Sequence, residues 1–235
     1  MATMVSFAAT GRAAVPWQRP GGGTGRRSGL KIRRPQGRAS STLAPGTKGP
    51  DHGWRMKYCS ECGHRVELRV PDGDSRPRHV CTACGKVHYS NPLLVVGCVP
   101  EAGRKLLLCR RAIEPRYGYW TIPAGFMEND ETLVEAAARE TMEEAQARVE
   151  IRDLFAVVDV THARQVHLIY RATLLDGRYG VGEESLEVEL FEPEQIPWEQ
   201  IAFRSVRFAL EKWLEDRTAG LERLHLMALQ DPRRN

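Results

Sequence analysis

The clearest patterning in the chain is a pair of apolar runs. Residues 93–99 (LLVVGCV) and 105–111 (KLLLCRR) are short, nearly continuous in apolar side chains, and separated by a turn over 101–104, so both read as buried strands. A loop bearing Pro and Gly follows over 112–130. Residues 131–146 then change to a helical period. At ~100° per residue, Val134, Ala138, Thr141 and Ala145 share one narrow face, and this small, largely apolar stripe is expected to pack on a sheet. Residues 152–160 and 165–175 return to strand patterning, 187–198 reads as a strand running into a turn, and 205–217 as an amphipathic helix. Strands interleaved with helices predict a mixed α/β fold. The pattern divides the chain into a leader (1–50), a small cysteine-bearing unit (55–92), a main domain (93–217) and a C-terminal tail (218–235).

Charge changes the picture because it is uneven. The net charge of +4 hides nine Lys/Arg and no acidic residue in residues 1–50, leaving 25 basic and 30 acidic residues, a net of −5, in the rest. A mildly acidic folded region argues against nucleic acid as a partner. The leader cannot bury enough apolar surface to fold alone and is expected to be disordered. Its Arg- and Ser-bearing, acid-poor composition matches an organellar transit peptide; a plain disordered tail is the alternative. No apolar run approaches the ~20 residues of a spanning helix, so no membrane partner is expected.

Four of the six cysteines form two CxxC pairs, Cys59/Cys62 and Cys81/Cys84, with 18 residues between them. That spacing fits a zinc ribbon better than a secreted disulfide framework, and it implies a reducing compartment. Gly63 and Gly85 follow the second cysteine of each pair, where a tight knuckle needs positive φ. Four thiolates make a closed tetrahedral site for structural Zn²⁺, with no open position for catalysis. A structural or dimerising role is expected, with a homodimer as the candidate assembly. His64, His79 and His88 lie nearby but read as surface residues, and Cys98 and Cys109 as buried core thiols.

The chemistry concentrates in Gly125-x5-Glu131-x7-Arg139-Glu140-Thr141-Met142-Glu143-Glu144. Spacings of i, i+3 and i+4 bring Glu140, Glu143 and Glu144 together on a face apart from the apolar stripe, where like charges repel. Arg148 is placed to relieve them in part, whereas Arg139 points to the side. A hard dication, Mg²⁺ or Mn²⁺, resolves such a conflict through carboxylate oxygens. A solvated acidic helix face is the bland alternative, and the whole spaced pattern is what outweighs it. That pattern resembles the Nudix box, G-x5-E-x7-R-E-U-x-E-E-x-G-U with U a bulky aliphatic. Thr141, Gln146 and Ala147 depart from it, which puts the helix end in question while leaving every charged position matched.

The resemblance implies a Nudix α/β/α sandwich with a mixed sheet and hydrolysis of a nucleoside diphosphate derivative by metal-activated water. It assigns Mg²⁺ to Glu140, Glu143 and Glu144, with the Gly125 carbonyl added, and an orienting role to Arg139. A further glutamate beyond the box commonly assists in the family; Glu187 is the candidate, with Glu184 close behind. Residues 57–217 as a whole are similar to a zinc-ribbon group of Nudix proteins whose plant members include a chloroplast FAD pyrophosphatase. This implies cleavage of FAD to FMN and AMP and a chloroplast location, with mitochondrion or cytoplasm as alternatives. Arg110, Arg111 and Arg116 are candidates to meet substrate phosphates, and Trp120 either stacks on a flat ring or packs in the core. ADP-ribose and NADH are rival substrates. NADH pyrophosphatases carry an S-Q-P-W-P-F-P element after the box, which is missing here. A non-catalytic nucleotide sensor or RNA-binding adaptor is the rival of another class, and the intact Arg-Glu-x-x-Glu-Glu argues against it.

Overall fold

The computed structural model describes residues 56–230, so the leader and its expected disorder lie outside the described residues. The first described unit is a three-stranded antiparallel sheet of β1 (Val66–Arg69), β2 (Arg78–Cys81) and β3 (Val87–His88), in that order. Its buried side chains are Cys59, Val80 and Cys81. So few apolar groups cannot hold a fold of this size, and the cysteines must staple it.

The main sheet begins with β4 (Leu93–Ala102) and β5 (Lys105–Arg111), followed by two short strands, β6 (Trp120–Thr121) and β7 (Ala124–Phe126). Helix α1 (Leu133–Ala145) leads into β8 (Val149–Val160), β9 (Gln165–Leu174) and β10 (Ser185–Phe191). Helix α2 (Arg204–Ala219) and β11 (His225–Leu229) complete it. Strand order is β10-β5-β4-β9-β8-β11, with β6 beside β5 and β7 beside β4. β4 runs parallel to β9 and β11 parallel to β8, while the other pairs are antiparallel.

Both faces of the sheet are covered, which is why β4 and β5 read as unbroken apolar runs. Val96, Cys98 and Ala172 meet Ala136 and Ala137 of α1, whereas Val99, Leu106, Leu108 and Phe155 meet Val206, Leu210 and Trp213 of α2. At Gly97 the chain crosses so closely that a Cβ would lie 2.3 Å from the Ala124 Cβ. The α/β/α arrangement agrees with expectation, but the packed face of α1 does not. Val134 is exposed and Ala138 only half-buried; the face that meets the sheet carries Ala136, Ala137, Glu140, Thr141, Glu144 and Ala145. The alanines and Thr141 are small enough for β4 and β7 to come close, and Glu140 and Glu144 are carried inward with them.

The segment expected to be a C-terminal tail is part of the sheet. α2 ends at Gly220 in the left-handed region (φ 64°), and the chain returns as β11, pairing His225 to Leu229 with Ala156 to Val160 of β8. The return is fixed by charge. Asp216, 2% exposed on α2, receives Arg171 Nη2 at 2.5 Å, Arg223 Nε at 2.8 Å and His225 Nε2 at 2.9 Å. Burial pushes the Asp216 carboxyl up, but hydrogen bonds from His225 and Arg223 outweigh it and hold the group below its usual range. No helix of the described residues is long and apolar enough to cross a membrane. Asp216→Ala leaves Arg171 buried with one partner fewer, so urea unfolding should show a loss of about 3–5 kcal/mol, the usual cost of breaking a buried pair from one side.

Candidate active site and metal centre

Helix α1 is anchored at both ends. Thr132 is its N-cap: its Oγ1 accepts from Glu135 N at 3.3 Å, and Glu135 Oε2 accepts from Thr132 N at 2.8 Å. Such a reciprocal cap contributes about 1 kcal/mol. Glu131 sits just outside it, accepting from Glu128 N at 2.7 Å and from Arg139 Nη2 at 2.6 Å. Arg139 also donates to Glu140 Oε1 at 2.7 Å, Glu143 Oε2 at 3.1 Å and the Phe126 carbonyl at 3.1 Å. One guanidinium thus ties the loop before the helix, β7 and two helix glutamates together. Arg139, not Arg148, relieves the carboxylate repulsion, because Glu131 and Phe126 pull its side chain back across the helix.

Glu140 and Glu144 face the sheet at 7% and 3% exposure. The Glu140 carboxylate lies against Gly125, where any Cβ would stand 2.4 Å from it, and Glu144 Oε2 accepts from Ala124 N at 3.4 Å. β7 therefore needs glycine where its backbone meets a carboxylate. Burial pushes the Glu140 carboxyl up to about 7 despite Arg139. Burial, then the charge of Glu140, pushes Glu144 well above the usual carboxylate range, with Arg111 opposing. Glu143 is exposed and turned toward Arg139.

The far end of α1 closes against the loop between β9 and β10. Gln146 takes the left-handed C-cap (φ 48°) that a glycine would adopt without strain, and its Nε2 donates to the Val181 carbonyl at 2.7 Å. Gly180 N and Gly182 N donate to the carbonyls of Ala145 and Glu144. A Cβ at Gly182 would fall 1.9 Å from the Glu143 carbonyl oxygen, so only glycine fits there. Beyond this closure lies half-buried Glu184, whose charge adds to the upward push that burial gives both Glu140 and Glu144. Glu187 points elsewhere: it lies on β10 opposite Arg110 and pairs with that side chain at 3.3 Å. Of the two, Glu184 is the one that bears electrostatically on Glu140 and Glu144.

Arg111, 8% exposed, donates through Nε to the Pro115 carbonyl at 3.0 Å, stacks over Phe203, and bears on Glu144 and Glu184 electrostatically. Arg110 is engaged by the Gly118 carbonyl and Glu187. Arg116 has positive φ (66°) and lies over the Tyr119 ring. Trp120 belongs to the core: it is 6% exposed and meets Phe191 edge-on at 4.9 Å. The stacking alternative for Trp120 therefore gives way to packing, whereas Arg111 stands by the carboxylates.

A second centre lies in the small unit. The sulfur atoms of Cys59, Cys62, Cys81 and Cys84 all fall within 4.8 Å of one another. Gly63 and Gly85 both have φ of 73°, and each donates to the carbonyl of the first cysteine in its pair. The N–H groups of Cys84 and Ala83 point at Cys81 Sγ, each at 3.4 Å, and favour its thiolate form. This quartet fits a tetrahedral dication with soft ligands. His88 is not a free surface residue: its Nε2 is 3.3 Å from Cys59 Sγ.

Residues 57–90 match the family described as Nudix N-terminal, a zinc-ribbon family, and residues 91–214 match the NUDIX domain. The second match spans more than half of the chain, and the protein belongs to the Nudix hydrolases that carry a zinc ribbon before the catalytic domain. A crystal structure of a NUDIX hydrolase from Nitrosomonas europaea is 53% identical, with a TM-score of 0.73, over 75% of this chain and 100% of that one. An ADP-ribose pyrophosphatase of Methanocaldococcus jannaschii is 26% identical over 46% of this chain and 67% of its own length. The NAD-capped RNA hydrolase NudC of Chromobacterium violaceum is 37% identical over 37% of this chain but only 32% of its own length. The chain thus spans between a third and two thirds of these two curated relatives.

Buried carboxylates with raised pKa, set among Gly125 and Glu184, suit a hard dication at Glu140 and Glu144. Two outcomes follow. Without Mg²⁺, the stability that Glu140 contributes is present below its ordinary value of 4.5 and is lost as pH rises through about 7. Added Mg²⁺ should therefore raise Tm more at pH 8 than at pH 6 in a thermal melt. Cys59→Ser with Cys62→Ser should lower tightly bound zinc from about one equivalent to none in metal analysis and expose residues 57–90 to proteolysis.

Proposed function

We propose that the protein hydrolyses the diphosphate bond of a nucleotide-containing small molecule, with FAD, cleaved to FMN and AMP, as its preferred substrate. The observation that carries the diphosphatase reading is the pair Glu140 and Glu144, buried against the β7 backbone and both pushed upward by burial despite Arg139 and Arg111. Relatives named as ADP-ribose pyrophosphatase and NAD-capped RNA hydrolase support the same bond class. FAD rests on the resemblance of residues 57–217 to the zinc-ribbon group of plants and bacteria. ADP-ribose is the second reading, favoured by the named activity of the Methanocaldococcus relative. A plastid address rests on the acid-free, arginine-bearing composition of residues 1–50.

In this reading Glu140, Glu144 and Glu143 would hold the dication, with the Gly125 carbonyl as a further donor. When bound, the cation neutralises the diphosphate and lowers the pKa of the attacking water. Glu184, half-buried and bearing electrostatically on both Glu140 and Glu144, would accept the proton of the attacking water. Arg139 holds Glu140 in place through the hydrogen bond at 2.7 Å. Arg111 is fixed by Pro115 and Phe203 and presents its charge to a phosphate oxygen.

With Mg²⁺, incubation with FAD should yield FMN and AMP by chromatography, with ¹⁸O from labelled water in a product phosphate. Glu144→Gln should lower kcat by roughly two orders of magnitude or more, since it removes an anionic ligand at constant size. Cleavage of ADP-ribose but not FAD would retain the diphosphatase and reject the substrate. Failure to cleave any nucleoside diphosphate derivative would favour a sensor or adaptor. Glu184→Gln should cost at least tenfold in kcat and Glu187→Gln less than twofold, in line with the range for general-base removal; equal losses would reject Glu184 as the base.

A further inference from the structure

A groove of about 500 Å³ opens where the cysteine unit meets the catalytic domain, away from the α1 carboxylates. Arg76, Arg78, His79 and His88 line it from the cysteine unit, and Arg164 from the turn between β8 and β9. Against these five, one acidic side chain, Asp159, reaches the groove. Arg78 is neutralised by Asp74 at 2.9 Å, but the Arg76 and Arg164 guanidinium groups have no ion-pair partner among the described residues. Ser90, Asn91, Thr161 and Gln165 add polar groups, while Leu68, Pro77, Pro92 and Val166 supply apolar wall.

The backbone at Arg164 is a second, independent feature. Arg164 is in the left-handed region (φ 54°, ψ 46°), where an arginine is sterically disfavoured and a glycine is not. Its N–H donates to the Thr161 carbonyl, and its carbonyl accepts from Leu93 N at 2.9 Å, so the strained turn is pinned to the first residue of β4. The pinning holds a long cationic side chain at the groove in a conformation its own backbone does not favour. Strain of this kind collects where a side chain is held in position for a ligand.

We infer that this groove binds a phosphorylated small molecule of nucleotide size. Unpaired guanidinium groups recognise a phosphate dianion, the proline and aliphatic wall covers the organic part, and the volume lies in the range of small-ligand sites. The ligand would bridge Arg76 of the cysteine unit and Arg164 of the catalytic domain. His88, which lines the groove and touches Cys59, would connect its occupancy to the cysteine centre. Products of diphosphate cleavage have this chemistry, so the groove provides a place for a product to act on the enzyme apart from the carboxylates.

The test uses the zinc-loaded full chain and AMP as the probe, followed by calorimetry in Mg²⁺. Arg76→Ala is combined with Arg164→Asn, because asparagine tolerates the left-handed turn. Wild type should bind AMP at a site that a non-hydrolysable diphosphate analogue does not displace. The double variant should weaken that site at least tenfold while keeping kcat within twofold and zinc near one equivalent. Inorganic phosphate should compete with AMP if the phosphate supplies the recognition; failure to compete at any concentration would overturn the proposed role of the arginines. Unchanged AMP affinity in a folded double variant, or full displacement by the analogue, overturns the site. So does a single-stranded RNA oligonucleotide that loses binding in the double variant when AMP binds to neither protein: the groove would then be a nucleic-acid contact.

Discussion

Everything at the centre of this molecule depends on two carboxylates being turned inward on the packed face of α1. Glu140 and Glu144 take positions that an ordinary amphipathic helix fills with apolar side chains. Taking a carboxylate out of water costs several kcal/mol even after relaxation, and a like charge beside it adds to that. The chain tolerates this because protonation near neutral pH, or a cation, removes the penalty. A ligand at one hundred times its dissociation constant stabilises by about 2.7 kcal/mol, which offsets a good part of it. The site is thereby a compromise between folding and chemistry, and a cation held there would serve both.

The surroundings answer the same demand. Arg139 gathers Glu131, Glu140, Glu143 and the Phe126 carbonyl on one side of the pair. Gly125 removes the side chain that would collide with Glu140, and Gly97 lets β7 lie close on β4. At the helix end, Gln146 and Gly182 fasten the β9–β10 loop just before Glu184. The glycines among them act by what they lack. They matter through where they let the backbone go.

Much of this was legible in the chain, and the exceptions have physical causes. The strands β4 and β5 announced themselves because a sheet covered on both faces needs unbroken apolar runs, and the knuckle glycines because positive φ leaves few alternatives. The packed face of α1 was misread because a hydrophobic stripe counts glutamate as outward-facing; Val134 took the role that belongs to Glu140 and Glu144. Glu187 and Glu184 are not told apart by spacing alone, because the register shift between Ser185 and Glu187 and the loop's attachment to α1 are long-range features. Sequence leaves Trp120 open between stacking and core, because its edge-on contact with Phe191 and its place in the cluster with Ile122 and Phe155 arise only in the fold. β11 is five residues long with Leu226 facing solvent, so no local pattern distinguishes it from a tail; its place is set by Asp216, nine residues before His225.

That last strand also sets the order of events during synthesis. β8 is made early, but the strand that covers its outer edge begins about 65 residues after β8 ends. At ~5–20 residues per second, a nascent chain spends several seconds with an unpaired edge bearing Val158 and Val160 in view. Edges of this kind attract other chains. A chain cut short within α2 would keep that edge of β8 open, a template for pairing with another strand.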